Sequence, residues 1–203
     1  MVGLDVEKDR VTSILRCKVV VVGSPTVGKT SLCQMASSNG TLFPKKYNMT
    51  VGVDVSVIPI KVEGSKGEVV ELFTYDVGGQ DVFVDCCEEH LHDANYVVCV
   101  FNLYDQASFQ ECANWLSLVL KSRKQTSDPP CGLLVGNKSD LGLSASRVDP
   151  TRVQQWAANN RFEYFEVSAL PQEGAWKDPF NFIANDFKTK YNAFVEKAKN
   201  VRA

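Results

Sequence analysis

Apolar residues along this chain alternate between short runs of strand length and longer stretches with helical spacing. Short apolar runs bounded by turn residues are typical of buried strands, and apolar residues three or four positions apart are typical of helices. The pattern predicts strands at residues 16–22, 52–62, 68–76, 96–103, 131–137 and 162–167. It predicts helices at residues 28–38, 82–91, 106–123, 149–160 and 178–197. This alternation indicates an α/β fold, with a six-stranded, mostly parallel sheet and helices on both faces.

One pair of predicted strands departs from the alternation. Only Gly64-Ser65-Lys66-Gly67 separates the second predicted strand from the third, which is too short for a crossover helix. We therefore expect these two strands to form an antiparallel hairpin. Pro59 lies in the second strand and cannot donate to a central ladder. The second strand is accordingly expected at the edge of the sheet.

The last predicted helix carries one broad apolar stripe. Its members are Phe180, Ile183, Ala184, Phe187, Tyr191 and Phe194. Such spacing is typical of a helix that packs on a sheet, and we expect this of residues 180–187. Trp176, Tyr191 and Phe194 are our candidate partner surface, with a core role as the alternative for some of them.

Length and charge limit the possible organisation. The chain has 203 residues, 44% of them apolar, which suits one well-packed domain. We expect that domain at residues 16–198, after an N-terminal extension at 1–15 and before a short tail at 199–203. Lys and Arg (22) nearly balance Asp and Glu (24), so there is no basic field of the kind that nucleic-acid binding requires.

Cysteine usage and the chain ends favour a cytoplasmic protein without a lipid anchor. The seven cysteines are scattered, with no C-x-x-C pair, which fits a reducing compartment. Val2 does not fit the myristoylation pattern, and Cys131 is the last cysteine, so the tail offers no prenylation site. No stretch approaches membrane-spanning length.

The sequence from Gly23 to Thr30 has the form G-x-x-x-x-G-K-[ST] and directly follows the first predicted strand. Such a loop turns its backbone N–H groups toward phosphate oxygens, with the lysine on the terminal phosphates and the threonine on Mg²⁺. The candidate phosphate-binding residues are Gly23, Thr26, Val27, Gly28, Lys29, Thr30 and Ser31. A chance glycine turn is the alternative, but a strand before the loop and a helix after it favour a nucleoside triphosphate.

Asp76-Val77-Gly78-Gly79-Gln80 closes the third predicted strand. A carboxylate at a strand end can hold Mg²⁺ through water, and Gly79 allows a backbone N–H to reach the γ-phosphate. Gln80 is then placed to orient the attacking water. Thr50, in the loop before the second strand, is the candidate that closes on the metal.

Two further motifs indicate the base. Asn137-Lys138-Ser139-Asp140 follows the fifth strand, and its aspartate can accept both N1–H and the amino group of guanine, which adenine cannot supply. Asn137 is expected to join the base loop to the phosphate loop, and the stem of Lys138 to cover the ring. Ser168-Ala169-Leu170 follows the sixth strand, with the Ala169 N–H expected on guanine O6. Phe43 is a candidate ring contact.

Together these motifs resemble those of the Ras-like small GTPases, and residues 16–195 look most like the Rab branch. The resemblance implies Lys29 on the β- and γ-phosphates, Gln80 on the water, and Thr30, Thr50 and Asp76 on Mg²⁺, with GTP or GDP as ligand. Within the branch, the missing prenyl cysteine and the segments 133–138 and 162–168 resemble the Rab-like subunit of the intraflagellar-transport complex. That likeness implies a small β-sandwich partner subunit, other complex subunits, and a place in the cilium or flagellum.

Three features of the sequence depart from the family pattern. Pro25 stands in the phosphate loop where a small residue is usual, and it lacks an N–H. Val77-Gly78 replaces the threonine-alanine of Rab proteins, and Leu170 replaces a lysine. The chain offers no obvious arginine in cis, so we expect slow GTP hydrolysis that needs an activating protein. The alternatives are a membrane-trafficking Rab, an Arf-like protein, or a largely structural nucleotide-binding subunit.

Overall fold

The computed structural model describes residues 11–65, 67–80, 84–122, 130–142 and 147–200, with residues 84–86 as backbone only. It contains six strands, namely β1 (Ser13–Val22), β2 (Val53–Lys61), β3 (Glu68–Val77), β4 (Tyr96–Asn102), β5 (Cys131–Asn137) and β6 (Phe162–Glu166). The α-helices are α1 (Lys29–Ser37), α2 (Val84–Leu91), α3 (Gln106–Ser122), α4 (Pro150–Asn160) and α5 (Asp178–Asn200). All six predicted strands and all five predicted helices are therefore present.

The six strands form one sheet in the order β2-β3-β1-β4-β5-β6. Strand β2 pairs with β3 in antiparallel register, with Pro59 opposite Glu71, and the other neighbours pair in parallel. The predicted hairpin is thus confirmed. Because β2 is an edge strand, the missing N–H of Pro59 interrupts no inner ladder.

Two apolar layers cover the two faces of the sheet. In β1, Cys17, Val19 and Val21 belong to one layer, and Val20 and Val22 belong to the other. This follows from the two-residue period of side chains along a strand. The first layer is completed by side chains of α1 and α5, and the second by side chains of α2, α3 and α4.

Most differences between the predicted and the observed bounds lie at the ends of helices and strands. Asp149, predicted to open the fourth helix, is its N-cap and accepts a hydrogen bond from Thr151 N at 2.9 Å. Gly28 likewise precedes α1 rather than opening it, in a left-handed conformation. β1 begins at Ser13, three residues before the predicted start, and α5 continues to Asn200. Residues 82, 83 and 123, also predicted as helical, lie outside the described residues.

The apolar stripe of α5 divides into a buried and an exposed part. Phe180, Ile183 and Ala184 are buried in the first layer, and Phe187 packs against it, as predicted. Trp176, in the 3₁₀ turn before α5, is 3% exposed and belongs to the same core. Assigning Trp176 to a partner surface is therefore wrong, because its indole already packs inside the domain. Tyr191 and Phe194 are 42% and 70% exposed.

Among the described residues, no helix is long and apolar enough to span a bilayer.

Candidate nucleotide-binding site

Four of the predicted motifs follow strands β1, β3, β5 and β6. These strands are parallel to one another in the sheet, so their carboxyl ends lie at one edge. Ligands of open α/β sheets bind at this edge because the loops that follow the strands meet there. The fold therefore brings the phosphate motif, the Asp76 motif and the two base motifs to one place.

A cavity of about 340 Å³ lies at this edge. The predicted site residues that line it are Thr26, Gly28, Lys29, Thr30, Ser31, Phe43, Thr50, Gly79, Gln80, Asn137, Lys138, Asp140, Ser168, Ala169 and Leu170. The other three, Gly23, Val27 and Asp76, are buried beside it and contact lining residues. All the sequence-predicted residues thus meet around one cavity.

The phosphate loop is held in place partly through its own lysine. Lys29 is 6% exposed, and its ammonium donates to the carbonyl oxygens of Gly23 at 2.8 Å and Ser24 at 3.0 Å. Burial lowers the pKa of Lys29 to about 8, although the nearby Asp76 carboxylate acts in the opposite direction. The loop therefore holds a buried cation whose ionised form an anionic ligand would stabilise.

Gly28 shows why this loop needs glycine. Its φ is +100°, and a Cβ there would lie 2.2 Å from Asn137 Nδ2. A side chain at this position would be strained and would also push away the base loop. The second glycine of the motif therefore lets the phosphate loop and the base loop approach each other.

Three oxygen-bearing side chains converge beside Lys29. Thr30 Oγ1 donates to Asp76 Oδ2 at 2.5 Å and lies 3.0 Å from Thr50 Oγ1, and Thr50 Oγ1 lies 3.4 Å from the same carboxylate oxygen. Desolvation raises the pKa of the buried Asp76 carboxyl, against the opposing effects of Thr30 and Lys29. Its second oxygen, Oδ1, is buried and has no hydrogen-bond partner among the described residues.

This cluster fits Mg²⁺. Magnesium prefers oxygen ligands and is usually held by one or two carboxylates together with phosphates and waters. Thr30, Thr50 and Asp76 supply hydroxyl and carboxylate oxygens, and a bound cation would offset the cost of burying the charged form of Asp76. The three predicted metal residues are thus together and chemically suited to the ion.

Asn137 links the phosphate loop to the base loops. Its Nδ2 donates to Val27 O at 2.8 Å, and its Oδ1 accepts from Ala169 N at 3.1 Å. The side chain is 1% exposed, so both hydrogen bonds are sheltered from water. The predicted link to the phosphate loop is present, and the Ala169 N–H predicted for guanine O6 is directed at Asn137.

Ser168 contacts the carboxylate predicted to select guanine. Its hydroxyl donates to Asp140 Oδ1 at 2.5 Å and accepts from Leu170 N at 3.1 Å. One oxygen of Asp140 is therefore held by the sixth-strand loop. The exposed Asp140 side chain lines the cavity, and this hydrogen bond restricts its orientation there.

The Gln80 segment lies against the phosphate loop. A Cβ on Gly79 would be 2.6 Å from Pro25 N and 2.7 Å from Lys29 Nζ, so only glycine permits this approach. Pro25 and the exposed Gln80 line the same cavity. Pro25 therefore lies on the side of the cavity where the sequence places the attacking water.

Several lining residues were not among the predicted site residues. They are Gln34, Pro44, Lys46, Tyr47, Asn48 and Met49. Gln34 lies one helical turn after Thr30 and Ser31, a spacing that predicts the same helix face. The others belong to the loop between α1 and β2, where no periodicity indicates which side chains face inward.

Comparisons with known proteins agree with this geometry. The model of the Ras family matches residues 18–189. Intraflagellar transport protein 27 of Chlamydomonas reinhardtii is 35% identical over 98% of this chain and 100% of its own length. Its homologue from Trypanosoma brucei brucei is 32% identical over 93% of this chain and 98% of its own length. The Ras-related protein Rab-28 of Caenorhabditis elegans is 34% identical over 68% of this chain and 53% of its own length.

The predicted resemblance to the Rab-like subunit of intraflagellar transport is confirmed by these matches. The family match covers every motif around the cavity and all of the sheet except residues 13–17 of β1. Ras-family GTPases generally use Mg²⁺ with GTP or GDP and hydrolyse GTP, which agrees with the chemistry of the residues assembled here. The chain belongs to the Ras family of small GTPases, and within it is homologous to the proteins named intraflagellar transport protein 27.

Proposed function

We propose that this chain is a GTP- and GDP-binding switch subunit of the intraflagellar transport complex, with slow intrinsic GTP hydrolysis. The observation that carries the proposal is the meeting of phosphate, metal and guanine motifs around one cavity. The names of the nearly full-length relatives supply the biological setting. The proposed place of action is the cilium or flagellum.

Each residue has a defined task in this proposal. Lys29 binds the β- and γ-phosphates, and Thr30, Thr50 and Asp76 hold the metal. When bound, Mg²⁺ neutralises charge that develops on the phosphates. Gln80 orients the attacking water. The described lining contains no arginine, so turnover is slow and an activating protein is required to accelerate it.

Thr50 and Gly79 make the site a switch. Both contact the centre of the site, since Thr50 lies beside Thr30 and Gly79 packs on Pro25 and Lys29. A γ-phosphate would hold both segments, and its loss would release them. Hydrogen exchange of the GTP and GDP forms tests this directly. Equal protection of the loops around Thr50 and Gly79 in both forms would contradict a switch.

Base selection is tested by Asp140→Asn. The carboxylate accepts two donors from guanine, whereas an amide offers one donor and one acceptor and so suits xanthine. We expect GTP binding to weaken at least a hundredfold and xanthosine triphosphate binding to improve, because mismatched polar groups lose their partners. Competition against a fluorescent nucleotide measures both. Unchanged preference for GTP would exclude Asp140 from base recognition.

A second candidate function is a largely structural subunit that binds nucleotide but rarely hydrolyses it. Pro25 favours this alternative, because it removes a backbone donor from the phosphate loop and lies against Gly79. Single-turnover GTP hydrolysis by the native chain and by Gln80→Leu distinguishes the switch from the structural subunit. A slower variant supports the switch, and equal rates support the structural subunit.

The proposed partner is a small β-sandwich subunit of the same complex. Tyr191 and Phe194 are exposed aromatic side chains one turn apart on α5, suitable as anchors of an interface. Co-expression followed by size exclusion tests whether Tyr191→Ser with Phe194→Ser abolishes the complex. Leu120→Ser, which changes an exposed apolar side chain on α3, is the control. A complex that survives the double change would exclude this surface.

A further inference from the structure

Lys46 lies on the loop between α1 and β2, and it lines the nucleotide cavity. Its neighbour Lys45 is also exposed but does not line the cavity. In sequence Lys46 stands between Phe43, expected on the base, and Thr50, expected on the metal. In the loop between these two residues, one exposed lysine therefore lines the cavity and the other does not.

The Lys46 ammonium is not engaged elsewhere in the described part of the chain. No hydrogen bond, ion pair or ring contact holds it there, unlike Lys188 and Lys190, which bind Glu68 and Asp186. A lysine that already pairs with a carboxylate gives up that pair when it binds a phosphate. Lys46 would give up no such pair among the described residues when it binds a phosphate.

The positive charge of Lys29 is partly offset within the protein itself. The Lys29 ammonium shares its hydrogens with the carbonyls of Gly23 and Ser24, and Asp76 adds negative charge nearby. A nucleoside triphosphate carries more negative charge than one lysine and a divalent cation neutralise together. Lys138, the other lining lysine, belongs to the base loop.

We propose that Lys46 is a second cation for the polyphosphate of the bound nucleotide. This inference rests on the proposed function, since it assigns a further binding residue to the same site. Lysine suits the task as a mobile point charge on a flexible stem, which reaches phosphate oxygens without a fixed geometry. Its contribution increases with the number of phosphates and decreases at higher ionic strength.

The test compares Lys46→Gln with the native chain, using GMP, GDP and GTP as competitors of a fluorescent guanine nucleotide in the presence of Mg²⁺. We expect GTP binding to weaken roughly three- to tenfold, GDP binding to weaken less, and GMP binding to change least. Raising the salt concentration should reduce the difference. Lys46→Arg keeps the charge and should retain most of the affinity.

Lys45→Gln is the matched control, because it removes the same charge one residue away from the cavity lining. If Lys45→Gln weakened binding as much as Lys46→Gln, the effect would come from the overall charge of the protein, and the inference would be overturned. A uniform loss across GMP, GDP and GTP would also overturn it, since it would indicate a base or ribose contact. If the native chain binds none of the three nucleotides, the proposed function fails as well. If Lys46→Gln binds the nucleotides as the native chain does, the inference fails but the proposed function stands.

Discussion

Thr30 Oγ1 lies 2.5 Å from Asp76 Oδ2, although the two residues are on different elements of the fold. Thr30 belongs to the first turn of α1, and Asp76 lies near the end of β3. The parallel pairing of β1 with β3 sets Val21 opposite Asp76, so the loop after β1 delivers Thr30 to the carboxylate. Thr50, in the loop before β2, contacts Thr30 through its Oγ1. The Thr30 hydroxyl therefore contacts both the Asp76 carboxylate and Thr50, whose segment is expected to change conformation between the GTP and GDP forms.

Thr30→Val removes this hydroxyl and keeps nearly the same volume. We expect Mg²⁺ to lose its effect on nucleotide release, so that GDP dissociates at least tenfold faster in Mg²⁺ and at a similar rate in EDTA. Release of a fluorescent GDP analogue measures both rates. The control is Thr41→Val, whose hydroxyl donates to Ser38 O outside the cavity. Persisting magnesium dependence in Thr30→Val would exclude Thr30 as a metal ligand.

Nucleotide affinity should depend on the protonation of Lys29. Burial sets the pKa of its free form to about 8, below the ordinary 10.5, and bound phosphates raise this pKa in the complex. Binding therefore takes up a proton at pH values above about 8. We expect GDP affinity to be nearly constant below about pH 7 and to fall progressively as the pH rises through about 8 to about 9.

Titration calorimetry in buffers of different ionisation enthalpy measures this uptake directly. Proton uptake that increases between pH 7 and pH 9 agrees with the lowered pKa of Lys29. Buffer-independent heats across that range would mean that Lys29 is protonated before binding.

The sheet and its order of motifs were predictable because they depend on local periodicity. The apolar run before Gly23 and the short turn at residues 64–67 determine the first strand and the hairpin. The metal and base residues were also predictable, because each follows a strand whose carboxyl end reaches the same sheet edge. Sequence patterns of this kind specify backbone position well.

Loop side chains were less predictable. Nothing in the spacing of Lys45 and Lys46 indicates which of them lines the cavity. Trp176 was one of three residues of the candidate partner surface, with a core role as the alternative, and the structure places its ring in the core beside Gly40. The direction of Trp176 depends on a tertiary contact and that of the two lysines on the path of a loop, and periodicity contains neither.

Asn137→Ala should lower stability and nucleotide binding together. The change leaves Val27 O and the Ala169 N–H without their buried partner, at about 1–3 kcal/mol for each group. We expect the free energy of unfolding without nucleotide to fall by about 2–6 kcal/mol in urea titrations. The phosphate loop and the base loop also separate, so GDP affinity decreases.

Asn160→Ala is the control for this change. Its Nδ2 also donates to a backbone carbonyl, Trp156 O at 2.8 Å, but it lies at the end of α4, away from the cavity. We expect a loss of about 1 kcal/mol and unchanged GDP binding. Similar effects of the two variants would mean that Asn137 does not join the loops of the site.

Gly79→Ala is expected to weaken GTP binding more than GDP binding. The new Cβ would lie 2.6 Å from Pro25 N and 2.7 Å from Ser24 C, and these backbone atoms can move only if the phosphate loop shifts. The segment around Gly79 must then withdraw from the position that a γ-phosphate contact requires. GDP binding does not need this contact and provides the internal reference. We expect the ratio of GTP to GDP affinity to fall at least tenfold and single-turnover hydrolysis to slow. An unchanged affinity ratio would show that the close packing of Gly79 on Pro25 is not part of the GTP-bound form.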